Sequence, residues 1–189
     1  MVVQSLDVKN DSFRPCEKCE ELLSPEIPYL SFIDVHMYLV NCTHLDIAFF
    51  VNLLARYSSA QTQKHWNGIK HILRYLRGTT TMGLFYSSES KQQLIRYADA
   101  WYLSDPHKGR SQTEYVFNCN GTTISWRSIK QTMVVTSSHH SKILAINEAS
   151  HKCIWPRSMI QHIQESCGLS SIKGDQQYFL KIMFHALHR

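Results

Sequence analysis

The chain is poor in several features that would decide its class at once. Among its 189 residues no apolar run approaches the roughly 18 that a membrane helix needs, so no membrane partner is expected. The opening Met1-Val2-Val3-Gln4-Ser5-Leu6-Asp7 lacks a basic stretch followed by an apolar one, so no secretory signal is visible. A cytoplasmic or nuclear, not secreted, location is the expectation, with the six cysteines as thiols. Cys16-Glu17-Lys18-Cys19 has zinc-like spacing, yet no second pair follows at a distance that would complete four ligands. Internal repeats and low-complexity tracts are absent too. Charged residues make up only 19%, against 43% hydrophobic, so a packed core rather than disorder is the expectation. The formal net charge of +5 suits a polyanionic partner without requiring one.

What is present falls into helices, then strands, then helices. Residues 1–28 are polar, carry Pro15, Pro25 and Pro28, and read as a loose arm. Tyr29 to Val40 reads as a first helix, in which Asp34 and His36 interrupt the apolar pattern. A second opens with Thr43 and Asp46 as an N-cap pair and carries the stripe Ile47, Phe50, Val51, Leu54. A third runs from Thr62 to Arg77 with Trp66, Ile69, Leu73 and Leu76 as its stripe and Gly78 just past its end. Lys70, Arg74 and Arg77 share one flank of that helix. They fit a phosphate-contacting edge, and equally a solvated face with cations near a helix C-terminus.

Strand patterns follow at Met82–Tyr86 and Gln93–Ala98. Thr113–Cys119 and Thr122–Arg127 flank Asn120-Gly121, the strongest hairpin signal in the chain. After the β-rich run Thr132–Thr136, Ser137-Ser138 opens a helix reaching about Trp155, with Ile143, Ile146, Ser150 and Cys153 on one side. Pro156 predicts a break or kink, with a further helical piece from Arg157 to Ser166. The order implies an α/β unit attached to a small helical region.

Two sets of motifs carry a resemblance. Pro28-Tyr29-Leu30-Ser31, Asp46-Ile47-Ala48-Phe49, His65-Trp66-Asn67-Gly68-Ile69-Lys70 and Ile72-Leu73-Arg74-Tyr75-Leu76-Arg77-Gly78-Thr79 form the first. Tyr97-Ala98-Asp99-Ala100, Asp105, Arg110-Ser111, Tyr115-Val116-Phe117, Ile124-Ser125-Trp126, Lys130-Gln131 and Thr136-Ser137-Ser138 form the second. In this order the chain resembles the C-terminal part of copia-type retrotransposon Pol. Residues 29–86 resemble the helical end of the reverse transcriptase, and residues 87–175 a partial ribonuclease H domain. The implied fold class is α/β: a ribonuclease H-like mixed sheet with flanking helices, C-terminally truncated and preceded by a small helical region.

The resemblance implies two-metal hydrolysis of the RNA strand of an RNA–DNA hybrid, with carboxylates holding magnesium ions about 3.5–4 Å apart. Asp99 matches the first catalytic carboxylate and metal ligand, and is expected at a strand's end. The helix position that should carry Glu is Lys142, whose ammonium cannot bind metal and opposes two nearby cations by several kcal/mol at intermediate dielectric. His139 and His140 do not replace it, because neutral imidazole suits softer metals. Glu148 lies on the wrong side of the helix. The third carboxylate belongs to a Glu-Asp-Asn motif that is absent. In its place residues 176–189 form a non-family tail, and an exposed sheet edge is expected beside it.

The expected function is therefore a Pol fragment with a ribonuclease H-like fold and no effective catalysis. The alternatives are a non-catalytic nucleic-acid-binding module using Lys70, Arg74 and Arg77, or a residual magnesium-dependent ribonuclease acting on RNA–DNA hybrids. With suitable codons the tail, read one nucleotide earlier, yields a segment containing Glu-Asp-Asn, which implies a frame shift near Asp175. Sequencing the gene's DNA across codon 175 should show Glu-Asp-Asn codons in that frame, and their absence would dismiss the shift.

Overall fold

The computed structural model describes residues 14–17, 20–86, 94–168 and 180–182. Their elements follow in chain order. Helix α1 (Tyr29–Cys42) buries Tyr29, Ile33, His36 and Val40, a face at helical spacing. Asp34 is exposed. His36 is buried, and its Nδ1–H donates to the Phe32 carbonyl one turn back. A 3-10 turn over Leu45–Ile47 leads into α2 (Ala48–Ala55). The N-cap pair expected there does not form. Asp46 instead accepts a 2.6 Å hydrogen bond from the Tyr75 hydroxyl, a tertiary bond that local spacing does not reveal.

Helix α3 (Gln63–Gly78) is capped by Thr62, whose backbone N–H donates to His65 Nδ1 at 3.0 Å. Its buried face is His65, Gly68, Ile69 and Ile72, one residue around from the predicted stripe, so Leu73 is exposed. Gly78 ends the helix from within, and Thr79 stands at its C-cap. The three helices share one core with Val51 and Leu54 at its centre. The Tyr29 hydroxyl donates to the Leu54 carbonyl at 2.9 Å, and burial pushes its pKa well above the ordinary tyrosine value.

The arm is not loose over its second half. The Leu23 amide donates to the Gln61 carbonyl at 2.9 Å, Leu22 bridges to Thr62, and the Leu23 side chain is buried. Glu20 fastens the same stretch, with Arg14 at 2.9 Å and Lys64 of α3 at 2.7 Å.

The sheet follows. Met82–Tyr86 is not a strand: its last residues lie along residues 122–123, with the Tyr86 hydroxyl donating to the Thr123 carbonyl at 3.2 Å. Strand β1 is Leu94–Asp105, longer than predicted because pairing to β2 (Arg110–Cys119) carries it past Ala98. The Asn-Gly hairpin is present, with φ of 53° at Asn120 and 81° at Gly121, the positive values a type I′ turn requires. Strand β3 (Thr122–Val134) continues unbroken through most of the run expected as a separate strand. The three pair antiparallel, and β4 (Leu180–Ile182) runs parallel to β1 beside Arg96–Ala98, giving the order β3-β2-β1-β4. Residues 180–182, inside the expected tail of 176–189, thus pair with β1 there. The expected boundary at residue 87, Gln93 and the expected frame shift at Asp175 lie outside the described residues.

Helix α4 (Ser138–Ser166) is one helix of 29 residues, started by Ser137, whose Oγ accepts the His140 amide at 3.2 Å. It seats Ser141, Ala145, Ala149, Cys153 and Pro156 against the sheet. Of the predicted side only Cys153 is buried; Ile143 is 60% exposed. Small residues won the buried face because they let the helix axis approach the strands closely. The helix also runs through Pro156. Cys153 before it and Ile160 after it both pack on the core of Leu94, Ala98, Tyr115 and Phe117, which offsets the roughly 3 kcal/mol that an interior proline costs.

Lys64 and Arg14 lower the Glu20 pKa to about 2. A depressed carboxylate contributes stability above its unfolded pKa near 4.5 that is lost as pH falls toward 2. Protease protection of the Leu23 segment should therefore weaken between these pH values in the parent chain, and Glu20→Gln should flatten that dependence.

Candidate functional site around Asp99

Asp99 lies in the middle of β1, not at its end, because β1 continues to Asp105. Side chains alternate along a strand, so Asp99 stands on the face opposite Ala98 and Ala100. The face of Ala98 carries α4, through the shared core with Ala149 and Cys153. On the same face Gln131 Nε2 donates to Thr113 Oγ1 at 3.0 Å and to the Ser141 carbonyl at 2.9 Å. Asp99 therefore belongs to the face that meets α1 and α2. There Trp126 Nε1 donates to the Val40 carbonyl at 2.7 Å, and Phe49 stacks on Trp101 with centroids 4.8 Å apart.

Asp99 is 9% exposed, and its Oδ1 accepts the Ala100 amide at 2.8 Å. Its cross-strand neighbour is Glu114, which in turn pairs with Ser128 of β3. In this row Ser128 Oγ donates to Glu114 Oε1 at 2.9 Å, and Gln112 Nε2 donates to Ser128 Oγ at 2.6 Å. Arg56, at the end of α2, completes the chain: its guanidinium donates to Gln112 Oε1 and, at 3.3 Å, to the Ser104 carbonyl. Glu114, the cross-strand neighbour of Asp99, is thus tied through neutral side chains to a cation at the end of α2. Glu114 is a residue the sequence reading missed. Its place beside Asp99 follows from the β1–β2 register, which includes an irregularity between Trp101 and Asp105, and no local motif signals that register.

Other motif residues are structural. Asp105 accepts from Lys130 Nζ and from the Lys108 amide, both at 3.2 Å, so it closes the β1–β2 turn. Ser111 Oγ accepts the Leu103 amide at 3.1 Å, beside the positive φ of 51° at Leu103. Lys142 is half-buried in the first turns of α4, next to Ser141. His139 and His140 are exposed. Glu148 lies near Tyr115, whose hydroxyl pKa is raised, mainly by burial. Lys70, Arg74 and Arg77 are all exposed on α3, away from the Asp99 row, with Lys70 Nζ 5.7 Å from the Trp66 ring centroid. Cys16 Sγ lies 3.6 Å from the Glu20 carbonyl, while Cys19 is outside the described residues. Among the described residues no group of three or more His, Cys, Asp or Glu side chains is arranged to hold a metal ion. No helix among them is long and apolar enough to cross a membrane.

Comparison with known proteins adds relatives. The chain is similar to the secreted RxLR effector protein 161 of Plasmopara viticola, 37% identical over 129 residues that make up 68% of this chain and 91% of that protein. It is also similar to the retrovirus-related Pol polyprotein from transposon TNT 1-94 of Nicotiana tabacum, 35% identical over 138 residues, 73% of this chain and 10% of the polyprotein. The corresponding polyprotein from transposon RE2 of Arabidopsis thaliana is 32% identical over 121 residues, 64% of this chain and 8% of its own length. The chain thus spans a tenth or less of these Pol polyproteins. No protein-family model matches it. No solved structure matches it either.

Replacing Arg56 with Met keeps the aliphatic stem and removes the guanidinium that two acceptors share. Urea unfolding should show a loss of about 1–3 kcal/mol. An unchanged midpoint would mean that this link contributes nothing to stability.

Proposed function

Since the chain belongs to the retrovirus-related Pol polyproteins of copia-type transposons, we propose that it is a transposon-derived Pol segment whose α/β unit is ribonuclease H-like and catalytically inactive. The strand order β3-β2-β1-β4, with β4 parallel to β1 and α4 in the connection before it, supports the fold part of the reading. Lys142 supports the other part. It occupies the helix position where the resemblance calls for a carboxylate, and a fixed positive charge there opposes binding of two divalent cations.

The donor set does not fit the magnesium pair of the family. Among the described residues no group of three or more His, Cys, Asp or Glu side chains is arranged to hold a metal ion, where the resemblance calls for three carboxylates. Weak or lost magnesium binding accompanies the reading.

A second reading has its own observation. Lys70, Arg74 and Arg77 are solvent-exposed on one flank of α3, free of the Asp99 network, and suit phosphates of a hybrid or another nucleic acid. Binding there is independent of the loss of catalysis.

The test is hydrolysis of a labelled RNA–DNA hybrid by the full chain with magnesium. Cleavage should not exceed that of Asp99→Asn. Robust turnover that disappears in Asp99→Asn would overturn the inactive reading, and partial recovery of cleavage on Lys142→Glu would identify Lys142 as its main cause.

A further inference from the structure

We propose that the aromatic row Trp101, Phe49 and Phe50, continued by the cavity between α2 and α3, is a stacking platform for the bases of a single-stranded nucleic acid. The proposal rests on the nucleic-acid reading of α3 and adds to it the strand class and a second surface.

The rings form a continuous series. Trp101 of β1 lies nearly parallel to Phe49 at an interplanar angle of 14°, and Phe50 meets Phe49 edge-on at 5.5 Å. Phe50 also lines an apolar cavity of about 340 Å³, with Ile47, Leu54 and Ile72 on its walls and His71 and Tyr75 on the α3 side. Arg74 is exposed and lies three residues from His71, a neighbouring position on a helix surface. The series therefore leads from the strand that carries Asp99 to the basic flank of α3.

Joining α2 to β1 accounts for Phe49, which is half-buried. It does not account for the outer rings: Trp101 remains 39% exposed and Phe50 52%. Exposed flat rings complement the faces of unpaired bases, which are free in a single strand and covered in a duplex. The cations at one end of the row and the net charge of +5 favour a polyanion over an apolar peptide. Asp46 is the carboxylate at the cavity, and the Tyr75 hydroxyl holds it, so the phosphates are expected on the Arg74 side.

Fluorescence anisotropy with the full chain separates the possibilities. The probes are a labelled twelve-nucleotide oligothymidylate and an RNA–DNA hybrid of equal length, at about 50–200 mM salt. Trp101→Ala and Phe50→Leu should each weaken single-strand binding about tenfold, with the salt dependence kept, and change hybrid binding less than about twofold. The combined Lys70→Gln, Arg74→Gln, Arg77→Gln variant should reduce the salt dependence for both probes. Circular dichroism checks folding; should Trp101→Ala unfold, Trp101→Phe joins Phe50→Leu, whose half-exposed site tolerates loss of the ring. Loss of affinity in the cation variant alone overturns the platform and leaves the α3 reading standing. Absence of binding to either probe overturns both. Tighter binding of a Leu/Lys amphipathic helical peptide than of the oligothymidylate, abolished by Phe50→Leu, overturns the platform in favour of a protein partner.

Discussion

The close seat of α4 on β1 and β2 is the constraint from which the rest of the α/β unit follows. Ala98, Ala145 and Ala149 are fully buried there, and their small side chains bring the helix backbone near the strands. Larger residues on that face would hold the helix away and open voids under it, which protein cores do not tolerate cheaply. Once Ala98 and Ala100 are committed beneath the helix, the period of two along β1 leaves Asp99 no choice of side. It must point to the other face, where Glu114 and Ser128 await it in register.

That second face is also where the helical unit docks. The two hydrophobic cores are separate, one among α1, α2 and α3 and one between α4 and the sheet. Directional contacts join them: Arg56 to Ser104 and Gln112, Trp126 to the Val40 carbonyl, and the Phe49–Trp101 stack. Such contacts fix orientation better than area alone, because each is lost with a small displacement. The Asp99 row thus lies at a junction between units, connected to helix α2 by hydrogen bonds rather than open to solvent. This position is consistent with a structural use of residues that, by ancestry, read as chemistry.

Several motif residues support the same view. Asp105, Ser111, Lys130 and Gln131 are parts of the family resemblance when read along the chain. In space they close a turn, hold a strained backbone at Leu103, and tie β3 to the start of α4. A family motif therefore records the scaffold's hydrogen bonds as well as its catalytic groups, and scaffold bonds persist wherever the fold must still form.

The sequence by itself determined the Asn120-Gly121 hairpin, the Thr62 and Ser137 helix starts, the helical region ahead of the sheet, and the family. These depend on short-range chemistry: positive φ values, caps, and apolar periodicity. It also carried the lysine at position 142, because a residue's type needs no coordinates. Tertiary structure decided which face of α3 and α4 is buried, the length of β1, the unbroken helix through Pro156, and the docking of Leu23. It alone placed Glu114 beside Asp99. Each of these turns on a partner distant in sequence, whose packing or pairing energy outweighs the local preference, and no pattern along a single segment encodes the partner's position.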